Sequence, residues 1–142
     1  MFDIAKILNY FYLFRRNLRK NTVDLFSYLF VKIYLVILPI INFFIWLGTY
    51  RIYNQTQTPQ IALHYNVDFG IDLYDDVKKI FIIPLLGFLF VFINFFVVSL
   101  VNYYQRSEIK IVGHILFAAA LLGNIMLLAA VISVYFINFR SY

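Results

Sequence analysis

The sequence contains no cysteine, and only seven of its 142 residues are acidic. Without cysteine, the chain can form neither a disulfide framework nor a thiolate metal site. Charge of either sign is scarce, since charged residues make up 13% of the chain and hydrophobic residues 63%. This composition is too apolar for a soluble domain of this size. The sequence therefore predicts a membrane protein.

Three long segments are almost free of charge, at about 29–50, 80–103 and 111–137. A bilayer core of roughly 30 Å requires about 20 apolar residues in a helix, and each segment is long enough. We therefore predict an all-α membrane protein with three transmembrane helices in a domain spanning 23–142. The first apolar segment begins far from the N-terminus and lacks a small-residue cleavage site, so we expect an uncleaved anchor.

Residues 1–22 form a separate amphipathic segment. Apolar residues recur at three- and four-residue spacing from Ile4 to Leu18, which predicts a helix with one apolar face. We expect this helix to lie in the membrane interface with its cations on anionic lipid; packing on a partner protein is the alternative. The expected surface anchors are Lys6, Arg15, Arg16, Arg19 and Lys20. Asn21 or Thr22 would cap the helix that follows.

The distribution of basic residues predicts the orientation of the chain. Eight lie on the side of the N-terminus: Lys6, Arg15, Arg16, Arg19, Lys20, Lys32, Arg106 and Lys110. Four lie on the other side: Arg51, Lys78, Lys79 and Arg140. The positive-inside rule then places the N-terminus in the cytoplasm, and the C-terminus and loop 51–79 outside a cell (inner) membrane.

Each predicted span carries one asparagine near its middle: Asn42, Asn94 and Asn124. An unpaired amide in hydrocarbon costs several kcal/mol. We therefore expect the three side chains to face inward and to form a polar clasp across the bundle. Contacts in a homo-oligomer are an alternative. A role in ion or proton passage is disfavoured because no Asp, Glu or Arg lies at that depth.

The loop between the first two spans alternates strictly from Ile61 to Leu73, with apolar residues at odd positions and mostly polar ones at even positions. This period of two predicts an ordered, extended segment with one apolar and one polar face. A bend at Gly70 would make it a hairpin; otherwise it is an arm on the outer membrane surface. The candidates for partner binding or loop ordering are His64, Asn66, Asp68, Asp72, Asp75 and Asp76.

Several chemistries can be tested against this polar face. His64, Asp68 and Asp72 are possible ligands of a divalent cation, but alternate residues of a strand share a face whatever their function. We therefore predict no metal and no cofactor, and we expect His64 to anchor the loop. No serine–histidine–acid, HExxH or glycine-rich phosphate motif is present, so we predict no enzymatic activity. The basic residues lack a fold that would present them to nucleic acid.

Two short motifs stand in this loop shortly before the second span: His-Tyr-Asn at 64–66 and Phe-Gly-Ile-Asp at 69–72. They resemble the outer loop of uncharacterised small multi-pass membrane proteins of reduced-genome bacteria. More distantly, the loop is similar to the membrane-loop domain of bacterial peptide-toxin immunity proteins. It departs from that domain in two places: Ala62 replaces the first proline of the pattern, and Gly70–Ile71–Asp72 lacks the second. The resemblance covers roughly 60–100 and implies a bacterial cell membrane, with no established activity.

These observations lead to two functional hypotheses. The first is a non-enzymatic integral membrane protein that recognises a membrane protein or peptide through its outer loop. The alternative is an accessory subunit of an oligomeric transport or export assembly. Three helices enclose little space, so transport would require several copies around a wet cavity.

Overall fold

The computed structural model describes the backbone of residues 4–66, 68 and 70–139, and the side chains of residues 8–63, 68 and 73–139. Within these residues the elements are helices α1 (Ile4–Ser27), α2 (Leu29–Gln55), α3 (Ile82–Tyr104) and α4 (Ile109–Phe139), strands β1 (Gln60–Asn66) and β2 (Gly70–Asp76), and a 3₁₀ turn (Val77–Phe81). Three helical segments, Leu29–Gln55, Val77–Tyr104 and Ile109–Phe139, are long and apolar enough to cross a membrane. The prediction of three apolar helices of spanning length is confirmed.

The junction between α1 and α2 differs from the prediction. Helix α1 extends past residue 22 to Ser27, and extended backbone at Tyr28 separates it from α2 without a side-chain cap. Neither Asn21 nor Thr22 is a cap, so that prediction is wrong. Thr22 donates its hydroxyl to the Leu18 carbonyl within α1, and Asn21 is buried against α3. Pairing with another helix therefore takes the place of capping at Asn21.

Helix α4 packs along both α2 and α3, and two buried apolar clusters lie at the two ends of this bundle. The cluster at the α1 end consists of Leu25, Val31, Leu38, Val98, Ile109, Phe117 and Ala120. The cluster at the hairpin end consists of Ile45, Ile52, Ile61, Ile80, Val131 and Val134. Lipid tails are as apolar as these side chains, so burial against lipid gives little driving force and close packing must stabilise the contacts.

The three spanning helices approach one another closely at Gly87 of α3. A Cβ atom placed there would lie 2.8 Å from Asn124 Oδ1 on α4, and closer still to Asn42 Nδ2 on α2. Neither amide can move away without breaking a hydrogen bond to a neighbouring helix, because Asn42 donates to the Pro84 carbonyl of α3 and Asn124 accepts from Asn42 of α2. Glycine is therefore required at this position by space, although glycine is a poor helix former.

We predict that Gly87→Ala lowers the free energy of unfolding by about 1–3 kcal/mol, because the added methyl group overpacks the amide pair. Gly123→Ala is the matched control: its Cβ would meet only the ring of Phe90, at 3.2 Å, and that ring can rotate. The measurement is unfolding in mixed micelles with increasing anionic detergent. Equal losses in the two variants would contradict the close packing inferred at Gly87.

Candidate functional site

The segment between the first two spans folds into an antiparallel hairpin. Its register runs from Gln60 opposite Asp76 to Asn66 opposite Gly70, and Asp68 lies exposed in the connecting turn. The alternation of the sequence left a hairpin and an extended arm open, and the structure has the hairpin. Strand β2 leads directly into the 3₁₀ turn that precedes α3. The hairpin therefore connects the end of the first span to the start of the second.

Two irregularities break the alternation that the sequence suggested. Ala62 pairs with Tyr74 and His64 with Leu73, so the register skips Leu63; it then skips Asp72 on the other strand. Each extra residue reverses which side chains share a face. In addition, the adjacent residues Ile61 and Ala62 are both buried, while Leu73 is 48% exposed. The prediction of one continuous apolar face at odd positions is wrong.

Asn138, near the end of α4, holds the hairpin on the bundle. Its Nδ2 donates to the Ala62 carbonyl at 2.8 Å, and the Ala62 N–H donates to its Oδ1 at 3.0 Å. The side-chain amide therefore bonds both peptide groups of Ala62, as a residue of a neighbouring strand would. Its Nδ2 also donates to the Val134 carbonyl one turn back in α4. The outward edge of β1 is thus covered by a helix at this point.

Asp75 and Asp76 organise the junction between β2 and the 3₁₀ turn. Asp75 Oδ2 accepts from Lys79 Nζ at 2.8 Å, and Asp76 Oδ1 accepts from the Lys78 N–H at 2.8 Å. The pKa of the Asp75 carboxyl lies below its usual value, chiefly because Lys79 donates a hydrogen bond to it and secondly because the Asp76 N–H does. Of the two roles that the sequence allowed, loop ordering is the one the structure supports for both carboxylates.

The side chains of the remaining loop candidates, His64, Asn66 and Asp72, lie outside the described residues. The anchoring role of His64 therefore stays a prediction. The side chain of Lys6, one of the expected surface anchors, also lies outside the described residues. Among the side chains that the structure describes, no group of three His, Asp or Glu could hold a metal ion. Arg15, Arg16, Arg19 and Lys20 all lie on the exposed surface of α1.

The structure brings Asn42 and Asn124 together at the middle of the bundle. Asn42 Nδ2 donates to Asn124 Oδ1 at 3.4 Å and to the Pro84 carbonyl of α3 at 3.1 Å. Asn124 Nδ2 donates to the Ala120 carbonyl at 3.0 Å and is 3.5 Å from the Gly87 carbonyl. Two amides therefore link all three spanning helices.

Asn94 does not join this clasp, and that part of the prediction is wrong. It lies seven residues beyond Gly87 on α3, which is about 10 Å along the helix axis at 1.5 Å per residue. Its Nδ2 donates instead to the Phe90 carbonyl of its own helix at 2.8 Å. Depth, and not helix face alone, decides which asparagines can meet.

A second amide cluster, which the sequence analysis missed, joins α1 to α3. Asn21 Nδ2 donates to both the Oγ and the carbonyl of Ser99 at 3.0 Å. Asn102 Nδ2 donates to Asn21 Oδ1 at 2.6 Å. In the sequence, Asn21 stood out only as an asparagine on the apolar stripe of a predicted helix, where it resembled an N-cap residue of the next helix. Asn138 carried a similarly weak signal, a lone amide near the end of a span.

Beneath the hairpin lies an apolar groove of about 550 Å³. Leu63, Ile80, Ile83 and Val134 line it, and the ion pair between Asp75 and Lys79 lies among its lining residues.

Comparison of the chain with protein-family models, with curated proteins and with solved structures finds no match. The resemblance of the loop motifs to other membrane proteins therefore stays a prediction.

We predict that Asn138→Ala releases β1 from α4, because two backbone groups of Ala62 lose their partners. The opening free energy of the hairpin should fall by about 1–3 kcal/mol, measured as faster amide hydrogen exchange over 60–66 in nanodiscs. Asn94→Ala is the control, since Asn94 makes the same bond to its own helix but none to the hairpin. Unchanged exchange in Asn138→Ala would show that the amide does not hold the hairpin.

Proposed function

We propose that this chain is a non-enzymatic, three-span membrane protein that recognises a membrane protein or peptide through its hairpin. The observation that carries the proposal is the docking of Ala62 on Asn138. It fixes one strand of the hairpin on the bundle and leaves the other strand at the surface. A fixed strand edge is a preorganised binding element, because little order has to be gained when a partner binds.

Hydrogen-bond geometry supports an open edge on β2. The peptide groups of Ala62 face Asn138 and not β2, so Ala62 and its partner Tyr74 form a non-hydrogen-bonded pair. In an antiparallel ladder the N–H and C=O of Tyr74 then also point away from β1. Among the described residues, β2 pairs with β1 alone. An extended segment of a partner can add to such an edge as a third strand.

Side chains next to this edge would add apolar contact. Leu73 is 48% exposed and Tyr74 is 58% exposed, and the apolar groove lies beside Asp75. Tyrosine is among the residues that contribute most to protein interfaces. The partner that suits this surface is an extended peptide, or an extended segment of a membrane protein, with apolar side chains at alternate positions.

In this function the hairpin lies outside a bacterial inner membrane and the N-terminus lies in the cytoplasm. The excess of basic residues on the N-terminal side supports this orientation. The described part of α1 has exposed apolar residues, among them Leu8, Phe11 and Phe14, alongside its cations. That combination supports a helix lying in the headgroup region.

The partly exposed position of Asn94 favours a second candidate, an accessory subunit of an oligomeric transport or export assembly. An amide within a spanning helix and outside the clasp could contact a second copy. The interior of one chain is filled by side chains such as Leu38, Ile45 and Phe117. A conducting path would therefore have to form between copies of the chain.

Because the chain has no cysteine, single cysteines can test orientation and recognition together. We predict that Tyr74→Cys, treated on intact cells with a membrane-impermeant thiol-reactive photocrosslinker, is labelled and crosslinks to one discrete protein or peptide. Gln57→Cys, which is exposed but outside the sheet, should be labelled without that product. Ser107→Cys, in the loop between α3 and α4, should not be labelled.

Each result has a separate meaning. Labelling of Ser107→Cys from outside would contradict the orientation. The same products from Tyr74→Cys and Gln57→Cys would contradict recognition by the β2 edge. Combining Tyr74→Cys with Asn138→Ala should reduce the specific product, because the edge is no longer held in place.

A further inference from the structure

A cleft at the end of the bundle away from the hairpin has two chemically different halves. One half is a groove of about 260 Å³ between α1 and α3, where Phe14 and Leu18 face Phe96 and Leu100. The other is a polar cleft of about 300 Å³ lined by charged and amide side chains at the ends of both helices. Asn17, Asn21 and Tyr103 line both, so the two halves are continuous.

The polar half carries an excess of positive charge. Lys20 and Arg106 line it together with a single carboxylate, that of Asp24. Arg106 Nη1 lies 3.5 Å from Asp24 Oδ2, a contact that uses part of a guanidinium with five N–H donors. Two cations against one acid favour an anionic group, and a phosphate oxygen matches the donor geometry of arginine.

Asn102 adds a hydrogen-bond acceptor to the same place. It is 4% exposed, and its Nδ2 donates to Asn21. Its Oδ1 is buried and accepts no hydrogen bond from the described residues. A buried acceptor without a donor is costly. A ligand hydroxyl that reached Oδ1 from the cleft would supply that donor.

The position of the cleft matches the depth at which lipid headgroups lie. Helix α3 ends at Tyr104, so Asn102 and Tyr103 lie at the end of a spanning segment. Tyrosines are enriched at this boundary between hydrocarbon and water. The apolar half extends from there along α3 toward the hydrocarbon, between side chains that are about half exposed: Phe14 at 51% and Phe96 at 57%.

We propose that this cleft binds one anionic glycerophospholipid. The phosphate lies between Lys20 and Arg106, a headgroup hydroxyl donates to Asn102 Oδ1, and one acyl chain fills the groove between α1 and α3. The bound lipid would contact both α1 and α3 and so hold the N-terminal helix on the bundle. The site is distant from the hairpin, so it holds or fails independently of partner recognition.

The test is native mass spectrometry of the whole chain in neutral detergent, with phosphatidylglycerol and with phosphatidylcholine of the same acyl chains. We expect one phosphatidylglycerol per chain. Removing both cations, in Lys20→Gln with Arg106→Gln, should weaken its binding about 25-fold, at about a fivefold contribution from each cation near a headgroup. Lys32→Gln with Lys110→Gln removes the same charge from exposed positions at the same end of the bundle but outside the cleft, and should change binding less than about threefold.

A second variant keeps the charges and closes the groove. Leu100→Trp should displace the acyl chain and weaken phosphatidylglycerol binding while leaving Lys20 and Arg106 in place, so the proposal stays testable if the double variant fails to fold. Equal binding of the two lipids would overturn the proposal. So would equal weakening by the two double variants, since that result would indicate attraction by overall charge and not by a site.

Discussion

A side-chain amide inside hydrocarbon has to find a hydrogen-bond partner, and this constraint determines how the helices of the protein are arranged. The hydrocarbon core of a bilayer holds no water, and an unpaired amide there costs several kcal/mol. The mutual bond of Asn42 and Asn124 and their bonds to the Pro84 and Gly87 carbonyls of α3 leave few relative positions open to the three helices. The helices can rotate or slide only by breaking these bonds.

The same chemistry recurs at both ends of the bundle. Asn21 and Asn102 join α1 to α3, and Asn138 joins α4 to the hairpin. Apolar packing alone specifies contacts between membrane helices weakly, because lipid competes for the same surface. Amides at three levels therefore provide positional specificity, and the apolar clusters fill the space between them. Asn138 thus positions the hairpin edge, and Asn21 with Asn102 positions the helices that line the lipid cleft.

The sequence predicted the features that depend on local composition. Three spans follow from apolar segments of about 20 residues, and the ordered loop follows from a period of two. The details that failed depend on contacts between distant parts of the chain. Asn21 and Ser99 are 78 positions apart, and Ala62 and Asn138 are 76 apart. No periodicity reports such pairings, and nothing local distinguishes Asn94 from Asn124 until the depth of each helix is known. The skipped positions Leu63 and Asp72 were hidden in the same way, because the alternation continues through them.

The most direct test of this account is a double-mutant cycle on Asn42 and Asn124. Asn42→Leu, Asn124→Leu and the double variant would be unfolded in mixed micelles and their free energies compared. The account predicts a coupling free energy of about 0.6–1.7 kcal/mol, the range found for hydrogen bonds between membrane helices. A parallel cycle on Asn94 and Asn124 should give no coupling. Strictly additive losses for Asn42 and Asn124 would contradict the account, because the two amides would then stabilise the bundle without bonding each other.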